Sequence, residues 1–182
     1  VTNVTQLQNA LTIAQNNGED DTINLAPGIY TFSSKLEYHP AESENRSLTI
    51  QGAGAWATIL DGGGSSSILR IEQSALEDGT NANVTIRGIT FKNGSDSSAS
   101  GGALFIGNYE AQTTIEDSVF EDSTAVFGGG ALYVEGWSAQ LTRNTFTGNS
   151  STDLSSAGGA VYAYLLSGGP LILDRNTFSD NF

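Results

Sequence analysis

Phe105, Tyr133 and Tyr162 occupy the same place in three successive copies of a short pattern, and Tyr109 and Trp137 lie four residues beyond the first two. Aromatic side chains that recur at a fixed step line up into columns, and exposed rings bind sugar rings or the apolar surface of a partner. One copy earlier the matching residue is Arg70, and Glu135 lies two residues after Tyr133, so charges flank the rings. The candidate ligand-binding set is Arg70, Phe105, Tyr109, Tyr133, Glu135, Trp137 and Tyr162. The same rings can instead serve only the scaffold, because aromatic ladders stabilise sheets by cross-strand packing. Exchanging Tyr133 and Trp137 for Ala separates the two: loss of binding with the fold kept marks a site, unfolding marks packing.

Other groups offer weaker chemistry. Glu116-Asp117 and Glu121-Asp122 supply oxygen ligands of the kind Ca²⁺ takes, and their other reading is solubilising surface charge. Nothing in the chain requires a cofactor. The sole histidine, His39 in Tyr38-His39-Pro40, has no repeat partner and reads as structural, so no catalytic residue is assigned. Asp117 and Arg143 fall at one repeat position in successive copies, as do Arg143 and Arg175. A lateral Asp117–Arg143 ion pair is the plain reading, and an arginine clamp on a substrate carboxylate is the alternative. A net charge of −13 with only seven Lys and Arg argues against nucleic acid or an anionic membrane surface as partner. The lack of cysteine excludes disulfides and thiolate chemistry.

These residues are positioned by a repeat. Gly-Gly-Ala followed by an aliphatic residue occurs at Gly101, Gly129 and Gly158, in steps of 28 (129 − 101) and 29 (158 − 129) residues. Each copy follows a segment ending in Phe91, Phe120 or Phe146, a fourth ends in Phe178, and an aliphatic residue always stands five before the Phe. Rich in Thr, Ile and Val, these segments predict about three short strands per repeat, separated by turns at Gly94, Ser123, Asn149 and Asn181. So short a unit without a helix cannot bury its own apolar face and must stack on its neighbours. The expected fold is an all-β, right-handed parallel β-helix of about five to six coils. Period-two alternation turns Leu104, Ile106, Leu132, Val134, Val161 and Ala163 inward, and therefore Phe105, Tyr133 and Tyr162 outward.

The first 47 residues read differently. Val4, Leu7, Ala10, Leu11 and Ala14 recur at helical spacing, with Thr5 as N-cap and Asn17-Gly18 as stop, which predicts an amphipathic helix over about 5–16 that caps the first coil. One domain over 1–182 follows, with 1–47 as cap and first coil and 48–182 as regular coils. The other end stops within a repeat, at Phe178-Ser179-Asp180-Asn181-Phe182, with no cap. The chain is expected to be part of a longer polypeptide with more coils, or to associate end to end there.

Gly-Gly-Ala-Leu alternating with Phe-x-x-Asn, as in Phe146-Thr147-Gly148-Asn149 and Phe178-Ser179-Asp180-Asn181, resembles the GGA[ILV] and FxxN motifs of polymorphic membrane protein repeats in bacterial surface adhesins. This resemblance covers roughly 84–182. The N-terminal third, through Leu60-Asp61-Gly62-Gly63, is similar to the opening of pectate-lyase-like β-helix proteins. The resemblance implies an exported bacterial protein, extracellular or at the cell surface. It implies a non-catalytic adhesin or stalk module that binds a polysaccharide or a cell-surface protein. The pectate-lyase-like class also holds polysaccharide lyases and hydrolases, but their Asn-Thr-Asp, Asp-Asp and His-Gly set is not found in this chain. An ice-binding solenoid would need a flat outward Thr array, and Thr90, Val119, Thr145 and Thr177 give a broken one.

Overall fold

The computed structural model describes residues 1–41, 46–73, 82–153 and 158–182. Among them the strands form three parallel sheets of nine, six and three strands, wound into a β-solenoid of about five turns. The core runs along the axis and is filled by the inward side of each strand, including Leu104, Ile106, Leu132 and Val134, all fully buried.

The Gly-Gly-Ala motif has a steric cause. Its first glycine takes a left-handed backbone, with φ of 73°, 64° and 86° at Gly101, Gly129 and Gly158. A Cβ on the second would collide with backbone carbonyls of a neighbouring turn: at Gly130, those of Gly159 and Ser150. The alanine that follows is buried in each copy, with no space for a longer side chain to be gained without displacing the adjacent turns. The motif is thus the place where three consecutive turns touch backbone to backbone.

The expected three short strands per repeat hold only in part. Leu104–Glu116 and Leu132–Thr142 each run as one long strand, joining the segment after Gly-Gly-Ala to the segment before the Phe. A register shift between Asn108 and Gln112 lets the chain bend there without leaving the sheet. In flanking turns the same two segments are separate, as Val161–Leu165 and Leu171–Asp174.

The second sheet carries the phenylalanines. Phe91, Phe120, Phe146 and Phe178 form one continuous stack, with ring centroids 4.9, 4.8 and 4.9 Å apart. The strand spacing of a parallel sheet, roughly 4.8 Å, is the cause of that step.

Two polar ladders bracket this stack. At one turn, Ser118 N–H donates to Asn144 Oδ1 (3.0 Å) and Asn144 N–H to Asn176 Oδ1 (2.8 Å). At the other, Ser123 N–H donates to Asn149 Oδ1 (3.0 Å) and Asn149 N–H to Asn181 Oδ1 (3.0 Å). Each amide also donates back, Asn144 Nδ2 to Ile115 O and Asn149 Nδ2 to Phe120 O. Buried turn groups that no strand pairs are satisfied this way.

The helix spans Val4–Ala14, and its N-cap is Asn3 rather than Thr5. Asn3 Oδ1 accepts from Gln6 N–H at 2.9 Å, and Gln6 Oε1 accepts from Thr2 N–H at 2.8 Å. This reciprocal pair satisfies two orphan donors at once, so the helix starts a turn's fraction earlier than the Thr5 reading. It ends before residue 16 because Gln15 is the C-cap, and its Oε1 accepts from His39 N–H at 2.8 Å. Leu7, Leu11 and Ala14 are buried over the first turn.

Candidate functional site

The outer face of the first sheet brings the aromatic candidates together. Strand register aligns Glu37, Arg70, Phe105, Tyr133 and Tyr162 in successive turns. Phe105 and Tyr133 stack at 4.8 Å with planes 6° apart, and Tyr133 and Tyr162 at 5.4 Å and 2°. The Arg70 guanidinium closes the column, 3.7 Å above the Phe105 ring. The predicted column therefore exists, but its rings cover one another's faces. A sugar stacks on a ring face, and both faces of Phe105 and of Tyr133 are already covered.

Two residues further along each strand lies a second line: Glu72, Gly107, Glu135 and Tyr164. Glu72 pairs with Arg70, and His39 Nδ1 lies 3.3 Å from Glu72 while its Nε2 lies 3.7 Å from Glu37. The hydrogen bond from Arg70 holds the Glu72 carboxyl below the usual range, the main cause of its shift. Tyr133 OH donates to Glu135 at 3.4 Å.

Burial in the stack, reinforced by the Glu135 charge, pushes the Tyr133 phenol from 10.0 up to about 12. Because the folded value exceeds the unfolded one, the neutral phenol's support of the stack is complete below about pH 10 and is lost as pH rises through about 12. In an absorbance titration Tyr133 should ionise late, near pH 12, with burial raising the Tyr30 phenol as well, and Tyr133→Phe should remove one late-ionising phenol. Ionisation of Tyr133 together with freely exposed tyrosines would contradict the packed column.

The free ring surface lies elsewhere. Tyr109, Trp137 and Tyr164 are 42%, 47% and 51% exposed, and no stacked ring covers them among the described residues. Tyr109 and Trp137 do not continue the ladder because the register shift after Asn108 breaks the alignment there. Leu166, their sequence counterpart in the next turn, leaves the strand in a short 3₁₀ turn, Leu166–Gly168.

The acidic candidates sit apart from this face, in two turns flanking the strand Val119–Glu121. Arg143 grips Asp117 with Nε and Nη2, both at 2.6 Å, and reaches Glu116 at 3.3 Å. The lateral ion pair read from the repeat is present, and the arginine holds the Asp117 carboxyl below its ordinary value. Glu121 pairs with Lys92 at 3.0 Å, and Asp122 occupies a left-handed turn position with φ 51°. Among the described residues no group of three His, Cys, Asp or Glu is close enough to hold a metal ion.

Two members of the face escaped sequence reasoning. Glu72 and Tyr164 share the outward parity of Arg70 and Tyr162, and that parity was the available signal. Trp56 is also exposed, at a left-handed φ of 67°, and nothing in the repeat pattern pointed to it.

A parallel β-solenoid with a closed aromatic ladder and three open rings beside it is the class that this fold and site define. No protein-family model matches the chain, and no curated protein or solved structure is significantly similar to it.

Proposed function

We propose that this solenoid is a non-catalytic binding module of an exported surface protein, akin to the GGA[ILV]/FxxN repeats of bacterial adhesins in the pectate-lyase-like superfamily. It takes a carbohydrate chain, or a cell-surface protein, on the outer face of the first sheet. The observation that carries this reading is the cluster of uncovered rings, Tyr109, Trp137 and Tyr164, on a face held rigid by the adjoining ladder. Rings fixed on strands bind with little loss of side-chain freedom.

Charge narrows the ligand. Glu72 and Glu135 line the same face and the chain carries −13, so neutral or amine-bearing sugars are favoured over uronates. Screening neutral, basic and acidic polysaccharides should show binding to the first two, and Trp137→Ala should weaken it about tenfold, or 1.4 kcal/mol, with the circular dichroism spectrum unchanged. Equal binding by the variant would remove Trp137 from the site.

A lyase or hydrolase is the second reading, and one observation favours it. Glu72 and Glu135 stand two turns apart across Gly107, a backbone separation of roughly 9.6 Å. Glutamate side chains that lean toward each other across that gap bring their carboxyl groups within the roughly 6.5–9.5 Å that inverting glycosidases span. New reducing ends or unsaturated products in the same incubations would decide for it. The ice-binding reading gains nothing from the geometry, since Thr90 and Val119 are buried.

A further inference from the structure

We propose that Glu135 is an ammonium-binding position, so that the polysaccharide taken on this face is a polymer of hexosamines with free amino groups. The inference rests on the sugar-binding reading and deepens it, from a class of sugars to one recognised group.

Glu135 is a carboxylate without a counter-charge. The other outward carboxylates that register places on the first sheet are neutralised within the chain: Glu37 by Lys35 at 3.2 Å, Glu72 by Arg70, Glu116 by Arg143 at 3.3 Å and Asp174 by Arg175 at 2.9 Å. Among the described residues Glu135 has the Tyr133 hydroxyl at 3.4 Å and no cation within ion-pair distance.

The residues around Glu135 keep it so. Across turns it aligns with Gly107 on one side and Tyr164 on the other, and along its own strand the outward neighbours are Tyr133 and Trp137. None of the four can bring a positive charge. Gly107 brings no side chain at all, and a Cβ there would lie 3.2 Å from Phe105 Cε1 and 3.7 Å from Glu72 Cγ. The position between Glu72 and Glu135 is therefore bordered by a ring edge and an aliphatic stem.

The chain itself shows what a carboxylate beside a ring holds here. The Arg70 guanidinium is bound by the Glu72 carboxylate and lies 3.7 Å over the Phe105 ring. A cation so placed gains both a charge-assisted hydrogen bond and the attraction of the ring quadrupole. Glu135 supplies the same carboxylate, and the half-exposed indole of Trp137 stands two residues along the strand, roughly 7 Å away. The cation is the missing member.

Its carrier must reach both groups. A hexosamine does: the pyranose face stacks on the indole while the ammonium meets Glu135, and Tyr109 on the adjoining strand offers a ring to the following unit. A lysine side chain brings the ammonium without a ring face, so a sugar and not a protein segment is the occupant.

The test titrates oligomers of glucosamine and their N-acetylated counterparts into the full chain by calorimetry, in mildly acidic buffer that keeps the sugar amine protonated. The glucosamine oligomer should bind about tenfold more tightly than the acetylated one. Glu135→Gln keeps the side-chain size and an acceptor for the Tyr133 hydroxyl, and should bring the two affinities together by weakening the amine ligand alone. Glu19→Gln removes the same charge from an exposed position outside the strands and should leave the preference as it is. Equal affinities in the unaltered protein would overturn the ammonium position and leave the sugar face standing. A preference that survives Glu135→Gln, or falls equally in Glu19→Gln, would assign it to the net charge of −13 and overturn the position too. Binding of neither oligomer would remove the sugar reading, and this position with it.

Discussion

Phe120→Ala is expected to lower stability by about 4 kcal/mol, the cost of emptying a fully packed aromatic site. Phe120 is completely buried, stacked on Phe91 at 4.9 Å on one side and on Phe146 at 4.8 Å on the other. Removing it deletes two ring contacts and leaves a void between turns whose backbones are already locked by the Gly-Gly-Ala contacts, so the walls cannot close in. Phe178→Ala is the control: its ring has one stacked neighbour and is half exposed, so its loss should cost about 1.5 kcal/mol. Urea unfolding midpoints compare the two. Equal losses would mean that the stack contributes no more at its centre than at its end.

Asn149→Ala should cost about 3 kcal/mol although it removes few atoms. Asn149 is fully buried, accepts Ser123 N–H and donates to Phe120 O, both at 3.0 Å. Truncation leaves a buried donor and a buried acceptor unmet, each worth about 1–3 kcal/mol. Asn149→Ser should recover part of the loss, because Ser123 holds the matching position one turn earlier and its Oγ accepts Gly94 N–H at 3.1 Å. Hydrogen exchange at the Ser123 amide reads this locally: fast exchange is expected in the Ala variant and intermediate exchange in the Ser variant. Unchanged protection at Ser123 would contradict the ladder.

The solenoid was legible because one constraint repeats. Backbone contact at Gly102, Gly130 and Gly159 forbids any side chain there, so the motif marks each turn in the sequence. The outward placement of Phe105, Tyr133 and Tyr162 followed from period-two alternation alone. The bulge between Asn108 and Gln112 left no such mark, because it depends on how neighbouring turns compete for register, and it decides that Tyr109 and Trp137 stay unstacked. Asn144 and Asn176 went unnoticed as ladder members since Ser118 and Ile89 fill the same place in other turns. The helix cap moved from Thr5 to Asn3 because a side chain at residue 6 completes a pair that Thr5 lacks.

The proposed binding face consists of the open rings beside the closed ladder. Trp56 and Trp137 are the two tryptophans, both exposed, so Trp56→Phe leaves Trp137 as the sole indole reporter. Titrating that variant with neutral oligosaccharides while following indole fluorescence tests the claim most directly. A saturable change in emission, abolished by Tyr109→Ala and Tyr164→Ala together but kept in Tyr133→Phe, is the predicted result. An emission that stays constant with every neutral and amine-bearing sugar would contradict it.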